Sequence, residues 1–171
     1  PAELVNGTLR PAWTIRARWP DGPRDCEAVA VDAAAGKVLL VSKKRTPPEL
    51  FSLPLADPGK AWREPRRIGR LAGVPAADPE LQRSDPVMAR LFTQVTAADL
   101  SPDGQTLAVL TYGSVLFYRR QAGEDWGAAV VRDVDSAVAE CDPPPGANIG
   151  DRDGWRCEGL RHRIGATPAH R

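Results

Sequence analysis

Hydrophobic positions along this chain fall into short runs that are rich in valine and leucine and are separated by turn-forming residues. Six of these runs form two groups of three, at 26–31, 37–43 and 50–55, and at 95–101, 105–112 and 114–120. Runs of this length, bounded by Gly, Pro and Asp, are typical of β-strands, and few segments show the spacing of an amphipathic helix. The pattern therefore predicts an all-β protein.

The turns inside the two groups support the same division. Pro102 supplies a fixed φ, Asp103 a local acceptor, and Gly104 a residue that is free to take a positive φ. Residues 32–36 begin with Asp, end in Gly and do the same job with a longer loop. Each group is thus predicted to run strand, Gly-ended turn, strand, short turn, strand.

A fourth, less apolar segment follows each group, at 61–71 and at 125–134, and a similar segment at 12–19 precedes the first group. Antiparallel units of four strands that recur along the chain predict a β-propeller, whose blades have this composition. A seven-stranded β-sandwich is the competing architecture, but it does not predict a long-period repeat. We therefore expect an incomplete portion of a six-bladed propeller.

The expected organisation is one propeller portion over residues 1–171. It comprises an outer strand of a preceding blade (12–24), two blades (25–72 and 95–139), the start of a further blade (155–160) and an irregular tail (161–171). The excursion at 73–92 is expected to hold a helical turn. Because a propeller needs about four blades to close, we interpret the chain as part of a longer protein. We also interpret Pro1 as a processing boundary.

The composition argues against two classes of binding partner, nucleic acids and the membrane interior. Lys and Arg number 23 and Asp and Glu 22, a balance that argues against a nucleic-acid binder. No apolar run approaches the roughly 20 residues that span a bilayer, so no membrane span is predicted. Blade faces left exposed by the missing neighbours are expected to promote self-association.

The three cysteines are Cys26, Cys141 and Cys157, which permit one disulfide and one remaining thiol. Cys141 and Cys157 flank a Pro- and Gly-rich loop, and closing that loop would contribute roughly 3 kcal/mol in an oxidising compartment. The alternative is three buried, inert thiols. A zinc site is not expected, because close Cys or His pairs are absent from the sequence.

Two stretches carry a resemblance to a known family. DCEAVAVDAAAGKVLLVSK followed by ELFSLPL, and VTAADLSPDGQTLAVLTYGSVLFYRR, resemble bacterial propeller proteins of the phytase-like and esterase-like group. The resemblance extends over residues 12–160. It implies a six-bladed propeller, a periplasmic or extracellular location, and acidic residues near a central channel.

In the calcium-dependent phytases of that group, the channel acids bind Ca²⁺ and position phosphate. Asp25, Glu27 and Glu158 match the acidic positions of the innermost strands, whereas Thr96 departs from them. These three carboxylates are the candidate Ca²⁺ ligands, since Ca²⁺ takes six to eight oxygen ligands. The alternative is that they are solvated or accept hydrogen bonds from nearby backbone N–H groups. No other cofactor is predicted.

The remaining candidates for chemistry are weaker. The basic run at 43–45 either binds phosphate, pairs with Glu27 or forms a solvated loop. Ser114 lacks the GxSxG setting of a nucleophile elbow, and Asp99 is expected to order a loop. The tryptophans are predicted to pack between blades.

The sequence thus favours a propeller scaffold that binds a small-molecule or protein ligand at the channel face. A calcium-dependent phytase-like or esterase-like hydrolase of phosphoesters or esters is the alternative, and a purely structural repeat module is a third class.

Overall fold

The computed structural model describes residue 8, residues 10–132, and the backbone strands at 135–142 and 156–163. Its strands are β1 (Arg16–Ala17), β2 (Cys26–Asp32), β3 (Lys37–Ser42), β4 (Glu49–Pro54), β5 (Trp62–Arg63), β6 (Arg66–Arg70), β7 (Val95–Leu100), β8 (Thr106–Thr111), β9 (Val115–Arg119), β10 (Asp135–Asp142) and β11 (Arg156–Arg163). Three short helices are α1 (Pro79–Ser84), α2 (Pro86–Phe92) and α3 (Trp126–Ala129). The protein is mostly antiparallel sheet, in agreement with the predicted all-β class.

The first sheet has four strands in the order β2-β3-β4-β6, all antiparallel. The turn between β2 and β3 ends at Gly36, whose φ of 60° is the positive value expected there. Asp32 Oδ1 accepts a hydrogen bond from the backbone N–H of Ala35, 3.0 Å away, and this bond fixes the turn. The three strands predicted for this part of the chain are thereby confirmed.

The second sheet has five strands in the order β11-β10-β9-β8-β7. Gly104, in the turn between β7 and β8, has a φ of 67°, and Asp103 accepts a hydrogen bond from the Gln105 N–H. The predicted strands of this group are confirmed as well. Residues 156–163 form the edge strand β11, which pairs with β10. The start of a further blade at 155–160 stays a prediction.

The core lies between the two sheets, where β2 packs against β7. Buried side chains from both sheets form one cluster that includes Ala28, Ala30, Leu39, Val41, Leu50, Val95, Leu107, Val109, Leu116 and Tyr118. The Tyr118 hydroxyl donates to the Ala72 carbonyl oxygen at 2.7 Å, which ties the second sheet to the segment that follows β6. The sheets are therefore stacked face to face through apolar side chains.

The outward faces are less buried than the apolar sequence of the strands predicts. Burial alternates along β2, where Ala28 and Ala30 are buried but Val29 and Val31 are about half exposed. On the second sheet, Leu110 is 42% exposed. The four-stranded and the five-stranded sheet are both open, and self-association through their outward faces stays a prediction.

The segment at 125–134 was predicted to be an outer strand, and this prediction is wrong for its first half. Asp125 caps α3 by accepting a hydrogen bond from the Ala128 N–H at 2.9 Å. Helix α3 packs on β6, and the strand that pairs with β9 begins only at Asp135. The apolar composition of WGAAVV does not distinguish a buried strand from a buried helical turn, and the Asp125 cap together with the contact on β6 favours the helix.

The remaining segments refine the prediction. At 12–19 the structure contains only the two-residue β1, which pairs in parallel with β5. The helical turn expected in the excursion at 73–92 is confirmed as α2, and α1 precedes it; Asp78 and Asp85 cap these helices. None of the helices in the described ranges is long and apolar enough to cross a membrane.

Candidate functional site

The candidate site lies at the end of the sheets where β2 and β7 begin. Because β2 and β3 are antiparallel, the residue before β2, Asp25, lies beside the residues that follow β3, and the backbone N–H of Lys43 donates to the Asp25 carbonyl oxygen at 2.9 Å. Helix α2 and the two residues after it lead into β7 at the same end. The start of β2, the end of β3 and the helix before β7 are thus brought together.

Two ion pairs connect the predicted acidic and basic residues. Lys43 Nζ is 2.8 Å from Glu27 Oε1, and Lys44 Nζ is 2.8 Å from Asp25 Oδ2. Lys43 also lies over the Tyr112 ring, 5.7 Å from its centroid, which connects the first sheet to the second. Of the alternatives for the basic run, pairing with Glu27 is the one that the structure contains.

The ion pairs shift the titration of two of these groups. The hydrogen bond from Lys44 lowers the pKa of Asp25 and outweighs the opposing effect of burial. The hydrogen bond to Glu27 raises the pKa of Lys43, again against burial. Asp25 is therefore a carboxylate and Lys43 an ammonium ion throughout the neutral range.

A cavity of about 490 Å³ opens beside these pairs. Its lining residues come from the end of β3 and from α2 and the turn after it: Lys43, Lys44, Thr46, Arg90, Thr93 and Gln94. We call this the basic cavity. Among the described residues, Arg90 makes no ion pair. The lining thus presents three cationic groups, two hydroxyls and an amide to a ligand.

The predicted calcium ligands are only partly assembled. Asp25 and Glu27 lie at the same end of β2, but each faces its own lysine. The side chain of Glu158 lies outside the described residues, and its strand, β11, is at the sheet edge opposite β7. Within the part of the chain that the structure describes, no three Asp, Glu, His or Cys side chains form a group that could hold a metal ion.

Sequence reasoning missed the contribution of the helix to this site. Arg90 belongs to the helical turn expected in the excursion at 73–92, and Thr93 and Gln94 follow it, but the sequence analysis assigned none of the three to a site. The signal was local: an Asp-Pro pair at 85–86 is a strong helix start, and it places Arg90 in the last turn. Which strand end that turn faces is decided only by the packing of the sheets.

The other candidate residues from the sequence make contacts that are typical of structural rather than catalytic side chains. Asp99 accepts a hydrogen bond from the N–H of its neighbour Leu100, and Ser114 is buried against Thr111. Burial raises the pKa of the Cys26 thiol to about 11, so it is protonated at neutral pH and a poor metal ligand or nucleophile. The register of β10 and β11 pairs Cys141 with Cys157. A disulfide between them stays a prediction.

Comparison of the chain with protein-family models, with curated proteins and with solved structures found no match.

Proposed function

We propose that this chain is part of a propeller-type scaffold that binds a small anionic ligand in the basic cavity. The first strands of the two sheets, β2 and β7, pack against each other, as the innermost strands of neighbouring blades do around a channel. The basic cavity lies at the end where both strands begin. This arrangement supports the channel face as the binding face.

The observation that carries the proposal is the charge of the cavity lining. Lys43 and Lys44 are partly compensated by Glu27 and Asp25, whereas Arg90 adds a further cation with no described carboxylate beside it. The hydroxyl of Thr46 supplies a further donor, whereas the Thr93 hydroxyl already donates to the Arg90 carbonyl oxygen at 3.1 Å. A phosphate or carboxylate group matches this set of donors, because charge-assisted hydrogen bonds to anions are the strongest that these side chains make.

The proposal predicts that replacing Arg90 by glutamine weakens the binding of inorganic phosphate about tenfold, which corresponds to about 1.4 kcal/mol. Arg83 provides the matched control, because it occupies the last turn of α1 as Arg90 occupies that of α2, but does not line the cavity. Titration calorimetry of the chain with phosphate and with an aryl phosphate measures the effect. Equal losses in Arg90→Gln and Arg83→Gln, or the absence of binding to either ligand, would contradict the proposal.

A calcium-dependent phosphoester or ester hydrolase is the second candidate. The observation in its favour is that the carboxylates of Asp25 and Glu27 hold the lysines that line the basic cavity, so hard oxygen ligands border a site for an anionic substrate. In such an enzyme a bound Ca²⁺ would polarise the substrate. To bind the ion, each carboxylate would first have to release its lysine, and for this reason we favour the scaffold.

Thermal unfolding with and without Ca²⁺ separates the two candidates. For the scaffold we expect a Tm that is unchanged at about 5 mM Ca²⁺, because the carboxylates are already paired with ammonium groups. We also expect no hydrolysis of an aryl phosphate or an aryl ester. A Tm that rises with Ca²⁺, does not rise in Glu27→Gln, and is accompanied by Ca²⁺-dependent hydrolysis would establish the hydrolase instead.

A further inference from the structure

A second cavity of about 490 Å³ lies beside β1 and β5. It is lined by Ala17, Arg18, Trp19, Pro20, Gly22, Pro23, Arg24 and Trp62, and we call it the tryptophan cavity. None of these residues lines the basic cavity. Its size falls in the range of small-molecule sites, and its walls combine aromatic rings and prolines with arginine side chains.

The walls are held in place by contacts with the first sheet. Trp19 packs edge-on against Phe51, with 6.0 Å between the ring centroids. The Arg24 guanidinium lies 5.0 Å from the centroid of the same ring, and its Nη1 donates to Glu49 Oε2 at 2.6 Å. The pairing of β1 with β5 is extended by the hydrogen bond from the Arg18 N–H to the Arg63 carbonyl oxygen, at 3.0 Å. The cavity is therefore preformed.

Two buried hydrogen-bond donors in these walls have no acceptor. They are Trp19 Nε1 and Arg24 Nε, and the Arg24 side chain is only 9% exposed. A buried donor without a partner is destabilising, and native structures contain few of them. The polar side chains of the lining, Arg18, Trp19, Arg24 and Trp62, are all donors only. A ligand for this cavity must therefore supply acceptors.

The charge and the shape of the cavity walls indicate which class of ligand fits. The charge of Arg24 is balanced by Asp21 and Glu49, whereas Arg18 makes no ion pair within the described ranges. The guanidinium of Arg18 lies 5.4 Å from the centroid of the Trp62 ring, and Trp62 is 58% exposed. The cavity thus offers one uncompensated positive charge beside a flat apolar surface.

We propose that the tryptophan cavity binds a small planar carboxylate, such as an aromatic acid. Its flat body would pack against Trp62 and the prolines, and its carboxylate would accept hydrogen bonds from the Arg18 guanidinium. A neutral sugar fits less well, because its hydroxyl groups donate as well as accept and no lining side chain can accept from them. This site is separate from the anion site proposed above and does not depend on it.

The test uses 2-naphthoate, with the neutral 2-naphthalenemethanol as its isostere. Indole N–H signals in ¹⁵N–¹H correlation spectra follow the site directly, and Trp19→Phe assigns the signal of Trp19. We expect 2-naphthoate to shift this signal saturably, with a Kd below about 1 mM, and the alcohol to bind at least about tenfold more weakly because the cavity favours an anionic acceptor.

Two arginine variants test the site independently of whether the Trp19→Phe chain folds. Arg18→Gln is expected to raise the Kd for 2-naphthoate about tenfold because it removes the uncompensated charge. Arg16→Gln is the matched control, since Arg16 lies exposed on β1, two residues before Arg18, and does not line the cavity. A Trp19 indole signal that does not move at about 5 mM 2-naphthoate, equal binding of acid and alcohol, or equal effects of Arg16→Gln and Arg18→Gln would each overturn the proposal.

Discussion

Replacing Asp32 by alanine is expected to lower the free energy of unfolding by about 3 kcal/mol, one of the two largest effects predicted for this chain. Asp32 is 2% exposed and lies at the end of β2. Its Oδ2 accepts hydrogen bonds from Arg120 Nη1 at 2.9 Å and from Trp126 Nε1 at 3.0 Å. The carboxylate thus links the first sheet to the chain that follows β9 in the second sheet.

The size of this effect follows from what the substitution leaves behind. Without the carboxylate, the indole N–H of Trp126 and the backbone N–H of Ala35 lose their acceptor, and Arg120 loses its counter-ion. Removing one partner of a buried ion pair typically costs 3–5 kcal/mol. We expect the low end because the Arg120 side chain is 16% exposed and regains some hydration.

The same group makes stability depend on pH. Burial raises the pKa of Asp32, but hydrogen bonds from Ala35, Trp126 and Arg120 and the charge of Arg120 outweigh burial, so the pKa lies below its ordinary value. A lowered folded-state pKa stabilises the fold above the unfolded-state value of about 3.9, and this stabilisation is lost as the pH falls through the folded-state pKa. Asp32→Ala should therefore show a smaller loss of stability between about pH 6 and pH 3 than the unsubstituted chain.

Urea unfolding at these pH values measures both effects. Asp99→Ala is the matched control, because Asp99 is an exposed carboxylate on β7 with only a local hydrogen bond to Leu100. We expect a change within about 0.5 kcal/mol for this control. If Asp32→Ala is no more destabilising than Asp99→Ala, the Asp32 network does not connect the sheets as argued.

Replacing Gly127 by alanine is expected to have the second large effect: it should lower the free energy of unfolding, although helix propensity alone would raise it. Alanine is about 1 kcal/mol better than glycine inside a helix. A Cβ atom at position 127, however, would lie 2.2 Å from the Ile68 carbonyl oxygen, a backbone atom of β6. We expect a loss of about 1–3 kcal/mol, the usual cost of overpacking, because β6 or α3 has to shift.

The reciprocal contact explains why the backbone cannot shift freely. A Cβ atom at Gly69 would lie 3.1 Å from the Gly127 carbonyl oxygen and 2.9 Å from Val130 Cγ2. Ala128 is the neighbouring exposed position of α3, and Ala128→Gly there should lose at most about 1 kcal/mol, through propensity alone. Denaturant unfolding of both variants tests the contact, and a Gly127→Ala chain as stable as the unsubstituted one would show that α3 does not approach β6 this closely.

Local composition accounts for the strands that were predicted correctly. Runs such as KVLLVS have the β-branched and aliphatic content of a buried strand. The glycines at 36 and 104 end their turns at the positive φ expected from their position. The strand prediction fails at 125–134, where an N-cap at Asp125 and a glycine that permits close approach place a helix on β6.

Part of the candidate site was likewise predictable from the sequence, and part of it was not. The juxtaposition of Lys43 with Glu27 was among the sequence alternatives, because both lie at one end of an antiparallel pair of strands. Arg90 was not anticipated, since its position depends on where α2 packs. The tryptophans were expected between the sheets, yet Trp62 is 58% exposed and lines a cavity.

The sequence by itself determined the three strands of each group and the Gly-ended turns between them, because these depend on side-chain type and on residues a few positions away. Only the tertiary structure decided which distant groups meet: Asp32 with Arg120 and Trp126, Gly69 with Gly127, and Arg90 with Lys43 and Lys44. The physical reason is that a local pattern fixes which face of a strand is apolar. The local pattern does not determine which other element covers that apolar face. The proposed sites depend on this packing, because their side chains come from elements that are distant in the sequence.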